Sequence, residues 1–153
     1  MSITTRFSVG IHVLALLDIY QDEVTSSSFI ASSVNTNPAV IRKIMSLLKT
    51  AGLIHARPGV AGARLAKPPE QIPLLAVYEA VYADNKSQEL FDVHQDTNER
   101  CLVGKHIQSA INPILHRVED ALKAELKGAS IADVIQQIKD QSFLIKTALE
   151  DES

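Results

Sequence analysis

At 153 residues the chain is long enough for one domain, or for a small domain carrying an assembly arm. Its 46% hydrophobic and 22% charged residues support a packed core under a solvated surface and exclude a disordered chain. No apolar run approaches the roughly 18 residues that span a bilayer, and one cysteine excludes an internal disulfide framework, as suits a reducing cytoplasm.

The formal net charge of −3 is unevenly spread. Residues 37–67 hold Arg42, Lys43, Lys49, Arg57, Arg64 and Lys67 and no Asp or Glu, which leaves nine basic and eighteen acidic residues elsewhere. A basic island in an acidic chain points to a polyanionic partner for that island.

In chain order, residues 4–20 read as a helix with Phe7, Ile11, Leu14 and Leu17 (or Leu16) as its inward stripe. The apolar run here is broken by His12 and Asp18 and lacks a basic leader and a small-residue cleavage site, so it does not read as a signal peptide. Gln21–Thr25 is a polar break. Ser26, Ser27 or Ser28 caps a short second helix that buries Phe29, Ile30, Ala31 and Val34. Asn35-Thr36-Asn37 then turns the chain, with Asn tolerating the left-handed conformation. Asn37 is a good N-cap and Pro38 fits the first helical position, where its missing N–H costs nothing. Ile41, Ile44, Met45 and Leu48 form one apolar stripe, and Gly52 fits the left-handed position after the helix. The other faces carry Ala39, Arg42, Lys43, Ser46 and Lys49. After Gly52 the period shortens: 53–57 and 63–66 are strand-like, with Pro58–Gly62 turning between them. Two short helices, the second basic, followed by a basic-tipped hairpin make a helix-turn-helix with a wing. The basic helix is sized for a DNA major groove, and an Arg on the hairpin reaches phosphates or the minor groove.

Past the hairpin, Pro68 and Pro69 end the strand pair, and Ile72-Pro73 opens a helix burying Leu74 or Leu75, Val77, Tyr78 and Val81. Residues 84–104 are polar and acidic, with Asp84, Glu89, Asp92, Asp96 and Glu99, and read as a long loop. From Lys105 a long helix runs to about Leu126. Ile107, Ile111, Ile114, Val118, Leu122 and Leu126 give it a near-heptad seam suited to a dimer, with a kink or restart expected at Pro113. Gly128 ends it. Ser130 and Asp133 have capping-box spacing and start a last helix carrying Ile131, Val134, Ile135 and Ile138, with a frayed tail at Glu150, Asp151 and Glu152. The divisions that follow are a DNA-binding domain over 1–83, a loop over 84–104, a dimerisation helix over 105–127 and a C-terminal helix with tail over 128–153. The fold class is mainly α with a small β-hairpin wing.

The run from Ser27 to Val81, SSFIASSVNTNPAVIRKIMSLLKTAGLIHARPGVAGARLAKPPEQIPLLAVYEAV, resembles the winged helix-turn-helix core of the Rrf-two family of bacterial transcriptional regulators, the class of IscR, NsrR and CymR. The likeness continues through Cys101-Leu102 into the long helix and the Ser130–Asp133 segment. It implies a homodimer joined by the long helix on a roughly palindromic operator, a recognition helix at 38–50 and a wing at 53–66. The sequence departs from the family twice. The wing pattern Arg-Gly-x-x-Gly-Gly is here Arg57-Pro58-Gly59-Val60-Ala61-Gly62, so Arg57 and Gly62 match while Pro58 and Ala61 replace glycines. The iron–sulfur members carry three cysteines before the long helix, and only Cys101 matches here. One thiolate cannot hold a cluster that takes four protein ligands, so the chain reads as a clusterless member without a cofactor.

Each site residue has a plainer reading beside the functional one. Arg42 and Lys43 are either DNA contacts or a solvated face, and the missing acids favour contact. Ser46 and Lys49 lie on later turns that often miss the groove, while Arg57, Arg64 and Lys67 are wing contacts or exposed strand-end cations. Asn37 caps or reads adenine, Ala39 lies on the outward face, and Val40 touches a thymine methyl or packs. Cys101 is a small hydrophobe or, with Arg100, Lys105 and His106 nearby, a redox sensor. His94, Cys101 and His106 are spaced by 7 and 5, which matches no tight zinc motif. No nucleophile–base set or phosphate-cradling loop is present, so the chain does not read as an enzyme. The expected function is a cytoplasmic, homodimeric regulator, a repressor, with a protein-binding adaptor lacking DNA affinity as the rival.

Overall fold

A computed structural model describes residues 2–56, 62–84 and 90–152. Among the described residues there are six helices, α1 (Ile3–Ile19), α2 (Ser27–Val34), α3 (Pro38–Thr50), α4 (Leu74–Tyr82), α5 (Leu102–Lys127) and α6 (Ile131–Asp151), and a two-stranded sheet of β1 (Ile54–His55) and β2 (Arg64–Leu65) that packs on α1 and α3. A single 3₁₀ turn, Pro69–Gln71, leads into α4.

Helix α1 is the spine of the head. Five consecutive residues, Val13 to Leu17, are buried, while Phe7 and Ile11 are only half-buried. The expected stripe of Phe7, Ile11, Leu14 and Leu17 (or Leu16) packs on the core, and burial widens beyond it to Val9, Val13 and Ala15 because α2, α3, α4, α6 and β2 all contact α1. The local signals at the helix starts hold. Ser26 Oγ accepts the Phe29 N–H at 3.1 Å, and Asn37 Oδ1 accepts the Val40 N–H at 3.0 Å. Asn35 sits in the left-handed region (φ 62°), turning α2 into α3, and its N–H returns to the Ala31 carbonyl.

The strands are shorter than expected, two residues each, in antiparallel register with Ile54 opposite Leu65 and His55 opposite Arg64. Gly62 (φ 87°) brings the returning strand against Thr25, just before α2. A Cβ at this glycine would lie 3.3 Å from the Thr25 nitrogen, so the wing is seated on the head by a close backbone approach. Leu53, Ile54 and Ala63 are buried beneath it.

An antiparallel clamp joins the start of α4 to the start of α6. Leu74 N–H donates to Ala129 O and Ile131 N–H to Ile72 O, both at 2.9 Å. The Ser130–Asp133 capping box is fully formed, and Ile131 and Ile135 enter the head's core. Helix α6 continues to Asp151, so the tail expected to fray at Glu150 and Asp151 is helical.

Helix α5 begins at Leu102 rather than Lys105, and it runs through Pro113 without a restart. Pro113 forfeits one internal hydrogen bond, which an otherwise regular 26-residue helix absorbs. Glu119 is the one buried residue among those described on this helix. Leu122 and Leu126 pack against Tyr78, Val81 and Tyr82 of α4, so the C-terminal end of the expected seam belongs to the chain's own core. Ile114 (51%) and Val118 (46%) are open to solvent, as are Leu102 and Val103.

Candidate nucleic-acid interface

The sequence of α3 sorts its residues onto two faces. Ile41, Ile44 and Leu48 are buried, with Val40 and Met45 packed against the same core. Ala39, Arg42, Lys43, Ser46 and Lys49 recur at three- and four-residue steps on the opposite side and are all exposed. Asn37 stands exposed at the N-terminus, with its side-chain oxygen committed to the cap. Val40, expected either to touch a base or to pack, packs. The outward face is thus short side chains flanked by cations at the start of a helix, the shape that enters a major groove N-terminus first.

The two cations on the first exposed turns differ. Arg42 forms no ion pair among the described residues, whereas Lys43 Nζ lies 3.5 Å from Asp84 Oδ2. Asp84 follows α4 and also accepts a 2.8 Å hydrogen bond from Arg6 Nη1 of α1. Partial burial would raise the Asp84 carboxyl, but Arg6 and Lys43 outweigh it and hold the group below its ordinary range. The basic face of α3 is therefore tied by an acid to the start of the 84–104 segment. The sequence does not reveal this link, because residues 41 positions apart carry no shared periodicity.

On the wing, Arg64 is exposed opposite His55, and Lys67 is exposed two residues beyond β2. Both border a groove with Asp18 and Gln21 of the α1 end. Arg57, the expected wing tip, lies outside the described residues, as do Pro58, Ala61 and the loop acid Glu89.

The far end of the 84–104 segment is laid onto α5. Leu90 N–H donates to Glu119 Oε1 at 3.2 Å, and Gln108 Nε2 donates to the His94 carbonyl at 2.6 Å. Asn98 accepts the Cys101 N–H through its carbonyl and the Arg100 N–H through its side chain. A Cβ at Gly104 would collide with that Asn98 carbonyl, so the glycine lets the loop close over the first turn of α5. Cys101 is the residue before the helix, and it is exposed. The backbone N–H groups of Gly104 and Val103 favour its thiolate and push the thiol down from its ordinary value. Among the described residues no three His, Cys, Asp or Glu side chains converge as a metal site.

A basic recognition helix, a seated wing and an arm with an open apolar seam define a winged helix-turn-helix regulator of transcription. Residues 3–137 match the Rrf2 family, described as iron-dependent transcriptional regulators, and the chain belongs to that family. It is 46% identical over 136 residues to YwnA of Bacillus subtilis (strain 168), whose name places it among HTH-type transcriptional regulators, covering 89% of this chain and 98% of that protein. A crystal structure described as that of a DNA-binding protein is 43% identical, covers 85% of this chain and 98% of its own, and superposes with a TM-score of 0.69. CymR, the global cysteine regulator of B. subtilis, shares the fold at 20% identity, with 89% of this chain and 97% of its own covered and a TM-score of 0.63. The chain is a DNA-binding transcriptional regulator and not an enzyme. No helix among the described residues is long and apolar enough to cross a membrane.

Proposed function

We propose that the protein is a cytoplasmic homodimeric repressor that places α3 in the major groove of each half of a palindromic operator. Ala39, Arg42, Lys43 and Ser46 meet the bases and their phosphates, and Arg57, Arg64 and Lys67 anchor the wing to the backbone. The observation that carries this is the division of α3 into a core-packed apolar face and an exposed basic one with no acid of its own. The dimer is supported by the open upper seam of α5, where Ile107 and Ile111 are half-buried and Ile114 and Val118 exposed.

The protein works without an iron–sulfur cluster in this reading. Cys101 is the chain's one cysteine, and one thiolate falls short of the four protein ligands such clusters take. The same cysteine is instead a candidate redox input, supported by its exposure and its favoured thiolate.

Fluorescence anisotropy with DNA from upstream of the protein's own gene, at several salt concentrations, tests the assignment. Binding should weaken steeply with salt, and Arg42→Ala with Lys43→Ala should lower affinity and reduce the log–log salt slope by about two, one for each phosphate no longer neutralised. A double variant with wild-type affinity and slope would remove α3 from the interface. A mild oxidant that weakens binding of wild type but not of Cys101→Ser would make the thiol the input; equal effects on both would exclude it.

A further inference from the structure

Between α1 and α6 runs a cleft of about 660 Å³, within the range that holds a small organic ligand. Its walls are apolar: Ile11, Ala15, Leu16 and Ile19 from α1 face Val134 and Ile138 from α6. Ser8, His12 and Tyr20 add neutral polar groups on the α1 side, and the two cations lie on α6. Lys139, Ser142 and Lys146 lie along α6, the two lysines two turns apart with the hydroxyl between them. No carboxylate lines the cleft among the described residues, and neither lysine has an ion-pair partner among them. An apolar trough with two ammonium groups on one wall complements a molecule with an apolar body and one anionic end.

We propose that this cleft is an effector site for a small organic acid, its apolar body lying along α1 and its carboxylate held by Lys139, Ser142 and Lys146. The charge argues for a carboxylate: two ammonium groups and no carboxylate line the cleft among the described residues, so a small anion supplies the counterion that its walls lack. His12 adds a path from the cleft to the head. It lines the cleft, and its Nε2 shares a 2.8 Å hydrogen bond with Ser33 Oγ on α2. Burial lowers the pKa of this imidazole, so it enters the cleft neutral and leaves charge recognition to the lysines. A ligand seated on α1 bears on the helix whose other faces carry Val13, Leu14 and Leu17 into the core shared with α3. The effect on DNA rests on the regulator reading above; the binding does not.

Calorimetric titration of the full chain with sodium octanoate, and with octanol as its uncharged counterpart, tests the site. One octanoate should bind per chain, about two- to fivefold more tightly than octanol, the worth of an exposed ion pair. Lys139→Gln with Lys146→Gln should abolish the preference, and Ser142→Trp, at an exposed helical position, should block both ligands. Octanoate should also shift the affinity for the upstream DNA in wild type and not in Ser142→Trp.

Absence of saturable octanoate binding up to millimolar concentration overturns the proposal, as does binding that neither variant alters. Sedimentation that shows a wild-type dimer refusing octanoate and a monomeric Ser142→Trp overturns it in favour of a second copy on this face. Octanoate that binds but leaves a normal DNA affinity unmoved removes the effector role. Octanoate that binds as expected while no sample binds DNA upholds the site and sinks the regulator reading instead.

Discussion

Two glycines separate conformational need from spatial need. Gly52 and Gly62 both have positive φ, 75° and 87°. A Cβ at position 52 meets nothing within 4 Å, while one at position 62 approaches the backbone of the buried Thr25. Gly52→Ala should therefore cost about 1 kcal/mol for its backbone alone, and Gly62→Ala about 2–3 kcal/mol, the upper end for a strained residue. Urea unfolding at matched m-values compares them, and equal losses would mean that Thr25 gives way. His12 makes a residue-scale prediction of a different kind. Its pKa is lowered in the fold from 6.5, so below pH 6.5 the unfolded chain binds the proton more readily. Stability from this group is fully present above pH 6.5 and is lost as pH falls toward the lower folded value. His12→Gln should show a smaller drop in urea midpoint between pH 7.5 and 5.5 than wild type; an identical drop would assign the acid sensitivity elsewhere.

At the scale of elements, what the sequence made legible was set by local chemistry. Asn37 and Ser130 could be read as caps because the groups they satisfy lie three residues away. The two faces of α3 were equally plain, since one covers the core and the other does not. The full breadth of the buried surface of α1 was not, because contacts from five elements extend it past one periodic stripe. Nor could the start of α5 be read, where Cys101 makes no side-chain cap. The clamp between Ile72 and Ile131 and the pair of Lys43 with Asp84 depend on tertiary placement, which spacing along the chain does not encode. That pair has a consequence for binding. Asp84 offsets a charge on the face proposed to meet DNA, so Asp84→Asn should raise DNA affinity about two- to fivefold, the worth of an exposed ion pair, and steepen the salt dependence. Thermal stability should fall slightly as Arg6 loses its charged partner. An unchanged salt slope in anisotropy would show that Lys43 already leaves Asp84 when DNA arrives.

At the scale of the whole molecule the proposed dimer rests on α5. This 26-residue helix, whose one buried residue is a glutamate 3.8 Å from Lys123, presents Ile114 and Val118 to water, the patch that the proposed dimer would cover. The lower seam is already occupied by α4, so Leu122 serves the head first, and a substitution there would confound folding with assembly. Ile114 and Val118 are free of that conflict. Ile114→Glu with Val118→Glu should leave the unfolding midpoint of the head nearly unchanged at low concentration but yield a monomer in sedimentation velocity. Loss of the second head then turns an intramolecular second contact into an independent one, and operator affinity should fall by about 10²–10⁴. A variant that stays dimeric would move the interface to another exposed apolar surface, Leu144 and Ile145 on the outer half of α6. Two heads joined there would be spaced by α6 instead of α5, and the separation of operator half-sites would tell the two arrangements apart.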